Sequence, residues 1–312
     1  MCRTSFSIAF FLWACAAACA GPMPAREIPA QAKWVIHLDV EAILKSSFGE
    51  PILEIANDPM VAPRLAAFTA MFGMNLVGDI HGMTLWGFGN NDHQAALYLE
   101  GKYDRVKLET IVRAAENYRE IPYGAARIHA WRDKGKNLYG CFVREDLLAL
   151  SKNQALVEAA IDAAHGRGGE FGLVPGGKTE AALAVVACQS MAGMELNPQA
   201  AVLKRIQEGW GALREEGGSL NAEIYLKAEN AEVATQIRQT LEGFRALALL
   251  NAQQQPMLAS LAAQMSVSAE ADTVRVVLSC AKEMALNLWR DGLKKEMAKH
   301  QQASPTSAEQ GK

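Results

Sequence analysis

Two stretches of the chain share one order of elements, and this repetition is the strongest constraint on the fold. Residues 93–117 and 219–249 each have the pattern of a strand followed by an amphipathic helix. Both strands contain an aliphatic-Tyr-Leu core, centred on Tyr98 and Tyr225. In both helices the apolar residues recur at helical spacing, which places them on one side. We therefore expect two related halves.

The remaining patterns predict an α+β fold in which a mainly antiparallel sheet carries helices on one face. The first predicted half covers residues 33–164 and the second covers 180–299. A glycine-rich stretch at 165–179 indicates a linker between them. Each half loosely fits the ferredoxin-like β-α-β-β-α-β pattern. Residues 300–312 are polar without apolar periodicity, which predicts a disordered tail.

Several helices are predicted from their first residues. Asp104, Asn153 and Asn230 are typical N-caps, and Asp58 followed by Pro59 is a further helix start. Apolar residues at helical spacing also predict a helix over 198–215, with Val202, Leu203, Ile206, Trp210 and Leu213 on one side. A final helix is predicted over 282–299.

The first residues indicate export from the cell. Arg3 is the only charge before an apolar run over 6–18, and Ala18-Cys19-Ala20 is a small-x-small cleavage site. We expect a signal peptide over 1–20 and a Pro/Ala linker over 21–32, hence a periplasmic or extracellular protein. The alternative is a lipoprotein anchored to the envelope through Cys19 or Cys15. No later stretch is apolar and long enough for a transmembrane span in the mature chain.

Charge and cysteine content limit the classes of partner. The formal net charge of −3 gives no electrostatic support for nucleic-acid binding. Three cysteines remain after cleavage, namely Cys141, Cys188 and Cys280, and each lies in an apolar, strand-like segment. They are expected to be buried thiols, with one disulfide as the alternative.

No residue pattern indicates a catalytic or cofactor site. Residues 172–179, GLVPGGKT, match the phosphate-binding loop in letters only, because that loop requires a strand before it and a helix after it. Glycine-rich residues precede this segment and a strand-like run follows it. The G-x-S-x-G nucleophile pattern is absent from the sequence. We therefore predict no cofactor, and the partner is an unknown protein or small molecule.

The pattern over 34–40 leaves one catalytic alternative open. Trp34, Ile36 and Leu38 alternate with Val35, His37 and Asp39, which predicts a strand with one mainly apolar face. His37 and Asp39 share the other face, so a metal site could form if His81 or His129 lay nearby. The competing interpretation is that the histidines are structural and that Asp39 caps the following helix.

Three segments resemble a family of uncharacterised exported bacterial proteins. These are the strand at 34–40, the glycine- and aspartate-containing stretch at 73–87, and the segment at 99–104 that ends in Asp104. The resemblance covers most of the mature chain and implies no catalytic residue. The first hypothesis is a non-catalytic binding or structural role in the periplasm or cell envelope. The alternative is an exported metal-dependent hydrolase with a site near His37 and Asp39, and a third possibility is a lipid-anchored envelope component.

Overall fold

The computed structural model describes residues 23–89, 92–172, 181–190 and 198–287. They form one antiparallel sheet of twelve strands, in the order β11-β12-β10-β9-β8-β1-β2-β3-β7-β6-β5-β4. The predicted α+β class with antiparallel strands is confirmed. The strands are β1 Trp34–Asp39, β2 Ile80–Gly87, β3 Ala95–Gly101, β4 Glu116–Tyr123, β5 Ala126–Asp133, β6 Lys136–Arg144, β7 Leu147–Ser151, β8 Ala184–Cys188, β9 Ile206–Glu216, β10 Ser219–Ala228, β11 Met265–Glu270 and β12 Thr273–Ala281.

Seven α-helices lie in the described residues, and residues 282–287 are also helical. The predicted N-caps Asp104, Asn153 and Asn230 are confirmed, because each side chain accepts a hydrogen bond from the first turn of its helix. The helices are α1 Val40–Lys45, α2 Gly49–Ala56, α3 Ala62–Phe72, α4 Arg105–Arg113, α5 Gln154–Ala164, α6 Ala231–Leu250 and α7 Pro256–Gln264. Short 3₁₀ helices cover Ala25–Glu27, Asp92–Gln94 and Pro198–Arg205.

Helices pack on both faces of the sheet, so the expectation of helices on one face is wrong. We call the face that carries Ile36 the front face and the face that carries Val35 the back face. Directly paired residues of neighbouring strands share a face, which extends this assignment across the sheet. α5 packs on the back face, with Val157 and Ile161 in one cluster with Ile128. α4 and α6 pack on the front face near its two ends.

The connection between β1 and β2 differs from the ferredoxin-like pattern, which is not confirmed. In a split β-α-β unit another strand lies between the two strands that the helix joins. Here α1, α2 and α3 join β1 to β2, and yet these two strands pair directly and antiparallel. β8 pairs with the other edge of β1. The sheet is therefore continuous from the first predicted half into the second.

The buried side of β1 is the more polar one. Val35 and His37 on the back face are 0% and 2% exposed, whereas Ile36 on the front face is 42% exposed. Val35 belongs to the main core cluster, which also contains Trp86 and Tyr98. His37 is tolerated there because its Nδ1 lies 2.8 Å from the hydroxyl of Thr84. The mainly apolar side of this strand therefore faces outward.

Two predicted helix positions are wrong. The segment over 198–215 is a 3₁₀ helix followed by β9, which pairs with β8 on one side and β10 on the other. α3 begins at Ala62 and not after Asp58, whose carboxylate instead accepts a hydrogen bond from the N–H of Met60 in a turn. The strands β6 and β7 that follow β5 form an antiparallel hairpin.

The described part of the predicted N-terminal linker packs against the sheet. Ile28 and Ala32 are fully buried in the main core cluster. The hydroxyl of Tyr98 donates a hydrogen bond to the carbonyl of Glu27, at 2.6 Å, and Arg144 forms an ion pair with the Glu27 carboxylate. The predicted signal peptide, the tail over 300–312 and all but the first residue of GLVPGGKT lie outside the described residues.

Candidate functional site

An apolar pocket of about 270 Å³ lies on the front face, between α4 and strands β5, β6 and β7. The pairing register of β5, β6 and β7 determines which side chains form its floor. His129 pairs with Gly140, and Gly140 pairs with Leu150. These positions therefore point to the same face of three neighbouring strands. The pocket is lined by Phe72, Leu108, Glu109, Ile111, Val112, Ala115, His129, Trp131, Gly140, Phe142, Leu148 and Leu150.

The roof of the pocket is the apolar side of α4. Asp104 caps this helix by accepting a hydrogen bond from the N–H of Lys107, at 3.0 Å. The stripe predicted from sequence, Leu108, Ile111 and Val112, does face the sheet, since all three residues line the pocket. None of the residues of α4 is buried, however. Because protein interiors normally pack without such voids, this helix covers a space that a ligand can enter.

One polar group of the pocket is the side chain of His129, which is 7% exposed. Its Nδ1 lies 2.9 Å from the hydroxyl of Tyr118, and the two rings stack with centroids 6.0 Å apart. Burial lowers the pKa of His129, while the carboxylates of Glu109 and Glu120 act in the opposite direction. The ring is therefore held mainly in its neutral form, and suits an uncharged hydrogen-bonding contact.

Charged side chains follow the outer side of α4. Arg105 lies over the ring of Phe142, a pocket residue, with its guanidinium carbon 5.0 Å from the ring centroid. Its Nε also lies 2.7 Å from the carboxylate of Glu109, the one acidic residue in the lining. Arg113 lies 3.4 Å from Glu109. The pocket thus combines apolar walls with a guanidinium beside its lining.

The front face continues beyond the pocket as an exposed apolar surface, which we call the central strip. Ile36 pairs with Leu85 and with Val186, and Leu85 pairs with Leu97. These are positions in β8, β1, β2 and β3. The central strip consists of Ile36, Leu38, Met83, Leu85, Leu97, Leu99, Ala184 and Val186. It adjoins the pocket, since Leu97 pairs with the lining residue Leu150.

The residues of the metal-site hypothesis do not converge. Asp39 accepts a hydrogen bond from the N–H of Ala42, at 2.8 Å, so its role as the N-cap of α1 is confirmed. His81 faces the front and its Nδ1 lies 2.7 Å from the Glu41 carboxylate, whereas His37 faces the back. His129 is five strands away from β1 in the sheet. No group of three His, Cys, Asp or Glu residues suited to a metal ion occurs in the part of the chain that the structure describes.

The three cysteines among the described residues are free thiols. Cys141 and Cys280 are buried, and Cys188 is half-buried. Burial raises the pKa of the Cys141 thiol to about 11 and also raises those of Cys188 and Cys280. Raised pKa values disfavour the reactive thiolate, so these residues are not suited to nucleophilic catalysis.

The helical spacing of apolar residues predicts the stripe of α4 but not the cavity that it faces. The floor residues Trp131, Phe142 and Leu150 carried no signal, because their convergence depends on strand order. A helix whose apolar stripe is bordered by Arg105, Glu109 and Arg113 looks the same in sequence whether it covers a filled core or a cavity.

No helix among the described residues is long and apolar enough to cross a membrane.

Comparisons with known proteins give no family. The chain matches no protein-family model and no curated protein. Among solved structures it is similar to crystal form III of TP0453, with a TM-score of 0.48 and 9% identity, over 85% of this chain and 96% of that one. Crystal form IV of TP0453 gives 0.46 and 9%, over 87% and 97%. A likeness of this degree carries no argument about what this chain does.

Proposed function

We propose that this chain is an exported, non-catalytic binding protein whose pocket under α4 takes the apolar part of a small amphiphilic molecule. The observation that carries the proposal is that α4 turns Leu108, Ile111 and Val112 toward a cavity of about 270 Å³ and leaves all three only half-buried. An occupant would remove these side chains from water. That burial contributes about 25 cal/mol for each Å² of apolar surface.

The size of the pocket limits the ligand. An apolar cavity of about 150 Å³ holds one benzene molecule, so 270 Å³ corresponds to about ten carbon atoms. This is near the lower end of ligand pockets in general. A medium-length acyl chain or a compact ring system fits this volume, whereas a nucleotide or a peptide does not.

The surroundings of the pocket indicate the chemistry of the ligand's other end. Arg105 already lies against Phe142 and Glu109, so its guanidinium is held close to the lining. A carboxylate or another anionic group on the ligand would add a charge-assisted hydrogen bond there. Neutral His129, with Tyr118 beside it, offers an uncharged hydrogen-bonding contact, which suits a neutral polar group. We therefore infer an anionic or neutral polar head.

The first test compares two substitutions of valine by tryptophan on α4. Val112 lines the pocket, whereas Val106 on the same helix is 78% exposed and is not part of the lining. Val112→Trp should fill the cavity and weaken decanoate binding by about tenfold or more, an expected loss of at least about 1.4 kcal/mol. Titration calorimetry measures the affinity, and thermal unfolding verifies that both variants fold. Equal affinity in the wild type and Val112→Trp would refute the pocket as the binding site.

A second test separates the apolar walls from the guanidinium. Arg105→Gln should weaken decanoate binding several-fold and leave decanol binding nearly unchanged, because only the carboxylate interacts with the charge. Arg127→Gln is the matched control, since Arg127 forms an ion pair with Glu120 and lies outside the lining. A similar loss for decanoate and decanol would mean that Arg105 supports the pocket by packing against Phe142 only.

The location of the protein remains part of the proposal. The apolar run over 6–18 and the Ala18-Cys19-Ala20 site support export. The resemblance of three segments to exported bacterial proteins supports a location in the cell envelope. Mass spectrometry of the mature N-terminus distinguishes the two forms. A chain that begins at Gly21 is released after cleavage, whereas a lipidated Cys19 is anchored. An uncleaved chain recovered from the cytoplasm would contradict export.

A further inference from the structure

The sheet ends in two edge strands, β4 and β11, which differ in how well they are protected from pairing with another chain. β4 contains Pro122 and several charged residues. Its pairing with β5 is also irregular between Glu116 and Arg119, where Asn117 has a left-handed φ of 54°. Proline, charged side chains and irregular pairing are the means by which natural proteins prevent an edge strand from adding a further strand. β4 is therefore unsuited to pairing.

β11 has none of these protections between Met265 and Ala269. This stretch contains no proline, and the whole run over 246–269 is free of Asp, Glu, Lys and Arg. Its register with β12 is unbroken. Within the described residues, β11 pairs with β12 alone. The other edge of β11 therefore presents backbone groups that can pair with a further strand.

The hydrogen bonds of the neighbouring strands show which backbone groups face this edge. The N–H of Ala228 in β10 donates to the carbonyl of Asp272, directly before β12, at 2.8 Å. Even-numbered residues of β12 therefore direct their backbone groups toward β10, and odd-numbered residues direct theirs toward β11. The odd-numbered residues of β12 pair with the even-numbered residues of β11. The backbone groups that point to the open edge consequently belong to Met265, Val267 and Ala269.

We propose that β11 pairs antiparallel with β11 of a second copy of this chain, in a register centred on Val267. Val267 then pairs with Val267 of the second copy, and Met265 pairs with Ala269 in both directions. Every outward backbone group of the three residues finds a partner in this register, because hydrogen-bonded pairs alternate along an antiparallel ladder. A register centred on a neighbouring residue would leave at least one of the three unmatched. One surface thus serves both chains, as a two-fold dimer requires.

The front-face side chains are compatible with this dimer. Met265, Val267 and Ala269 pack against the apolar cluster under α6 and remain half-buried in the single chain. A strand added at this edge would cover more of their surface. The pairs that it creates are apolar on both sides, with the large Met265 beside the small Ala269. Such pairs stabilise a sheet.

The remaining side chains bring no like charges together. On the back face, Ser266 lies opposite Ser268 of the second copy, and both serines are exposed in the single chain. Glu270 is the one charged residue of β11, and it lies level with Gln264 of the second copy. Like charges directly opposite each other would destabilise the pairing, and this register avoids them.

The first test places like charges across the proposed interface. Ser266→Lys combined with Ser268→Lys should convert a dimer into a monomer, measured by sedimentation at about 100 µM chain, which suits a small interface. Ser266→Glu combined with Ser268→Glu should also be monomeric. An equimolar mixture of the Lys and Glu chains should regain the dimer, because opposite charges then face each other. The matched control is Ser279→Lys combined with Gln207→Lys, since both positions are exposed and lie outside β11.

The second test measures the register. Ser266→Cys and Ser268→Cys are made in separate chains, both in a Cys188→Ala background, because the other two thiols are buried. The two positions form a pair without backbone hydrogen bonds, in which side chains approach closely enough for a disulfide. An oxidised mixture should therefore give several-fold more disulfide-linked dimer than either chain alone.

Three results would overturn the proposal. A wild-type chain that sediments as a monomer would show that the edge is not used by a second copy. A dimer that survives both the Lys and the Glu substitutions would assign dimerisation to another surface. Equal cross-linking in the mixture and in the separate chains would refute the register. None of these measurements involves decanoate, so failure here leaves the pocket under α4 as proposed.

Discussion

His37 and His129 lie in similar apolar strand sequences but occupy different environments. His37 is on the back face against Thr84, inside the main core. His129 is on the front face, in the pocket and beside Tyr118. The sequence places each residue in a strand but cannot say what lies opposite, because that depends on strands far apart in the chain. The two histidines therefore have similar sequence contexts, and only the structure shows that His37 belongs to the core and His129 to the pocket.

The environment of His129 leads to a pH-dependent stability. Its pKa is lowered in the folded protein, so the unfolded chain binds the proton more readily. The stability that neutral His129 contributes is therefore fully present above the pKa of this residue in the unfolded chain, about 6.5. It is lost as pH falls toward the pKa of His129 in the folded protein. His129→Gln cannot be protonated, and its melting temperature should fall less between pH 8 and pH 5 than that of the wild type.

The control for this measurement is His93→Gln, because the side chain of His93 is 70% exposed. It should retain the pH dependence of the wild type. Calorimetric melting temperatures at the two pH values are sufficient for all three proteins. An unchanged pH dependence in His129→Gln would show that protonation of this ring does not limit stability.

At the scale of elements, the sequence predicts features that depend on neighbouring residues but not those that depend on strands far apart in the chain. The caps Asp104, Asn153 and Asn230 depend on the backbone within three residues, so the sequence identifies them. Ile206, Trp210 and Leu213 have helical spacing, which predicts a helix where the structure has β9. In the structure Trp210 and Leu213 point to opposite faces, as their pairing with Ala187 and Ala184 of β8 shows. That segment is a strand because β8 and β10 supply partners for both of its edges, which no local pattern records.

The relation between the two halves stays a prediction. Strand order supports it, since β1, β2 and β3 are consecutive neighbours before α4, and β8, β9 and β10 are consecutive neighbours before α6. In each half antiparallel strands come after the helix, and the last of them pairs with the third strand, as β7 does with β3 and β12 with β10.

The cap of α6 provides a prediction at this scale. The side chain of Asn230 accepts a hydrogen bond from the N–H of Val233, at 3.0 Å, at the start of a twenty-residue helix. Asn230→Ala should lower the free energy of unfolding by about 1 kcal/mol. Gln239→Ala, at an exposed position of the same helix, should leave it unchanged within about 0.5 kcal/mol. Urea unfolding followed by circular dichroism measures both, and equal stabilities would contradict the role of the cap.

The whole molecule is organised around the pairing of β1 with β8. Because this pairing joins the strands of both predicted halves into one sheet, we expect them to unfold together. Two independent domains would instead unfold in separate transitions. The residue best placed to test this is Val185, which is 1% exposed and pairs with His37 on one side and Ala212 on the other.

Val185→Ala should cost about 2 kcal/mol, because it removes buried methyl groups and leaves a cavity. Hydrogen exchange followed by mass spectrometry should show reduced protection in both β6 and β12, which lie on opposite sides of β8. Gln207→Ala, at an exposed position of β9, is the control and should change neither. Reduced protection confined to β9, β10 and β12 would indicate that the halves unfold independently.

The position of β1 in the middle of the sheet has a consequence for how the chain reaches its folded state. β1 is made first, but its neighbour β8 comes from the second half of the chain. Until β8 arrives, strands β1 to β7 would leave one full edge of β1 with unpaired backbone groups, next to the exposed side chains of Ile36 and Leu38. Such an edge recruits other chains. A half-completed molecule is therefore the form most prone to aggregate, and closing the sheet at β8 is the step that removes this hazard.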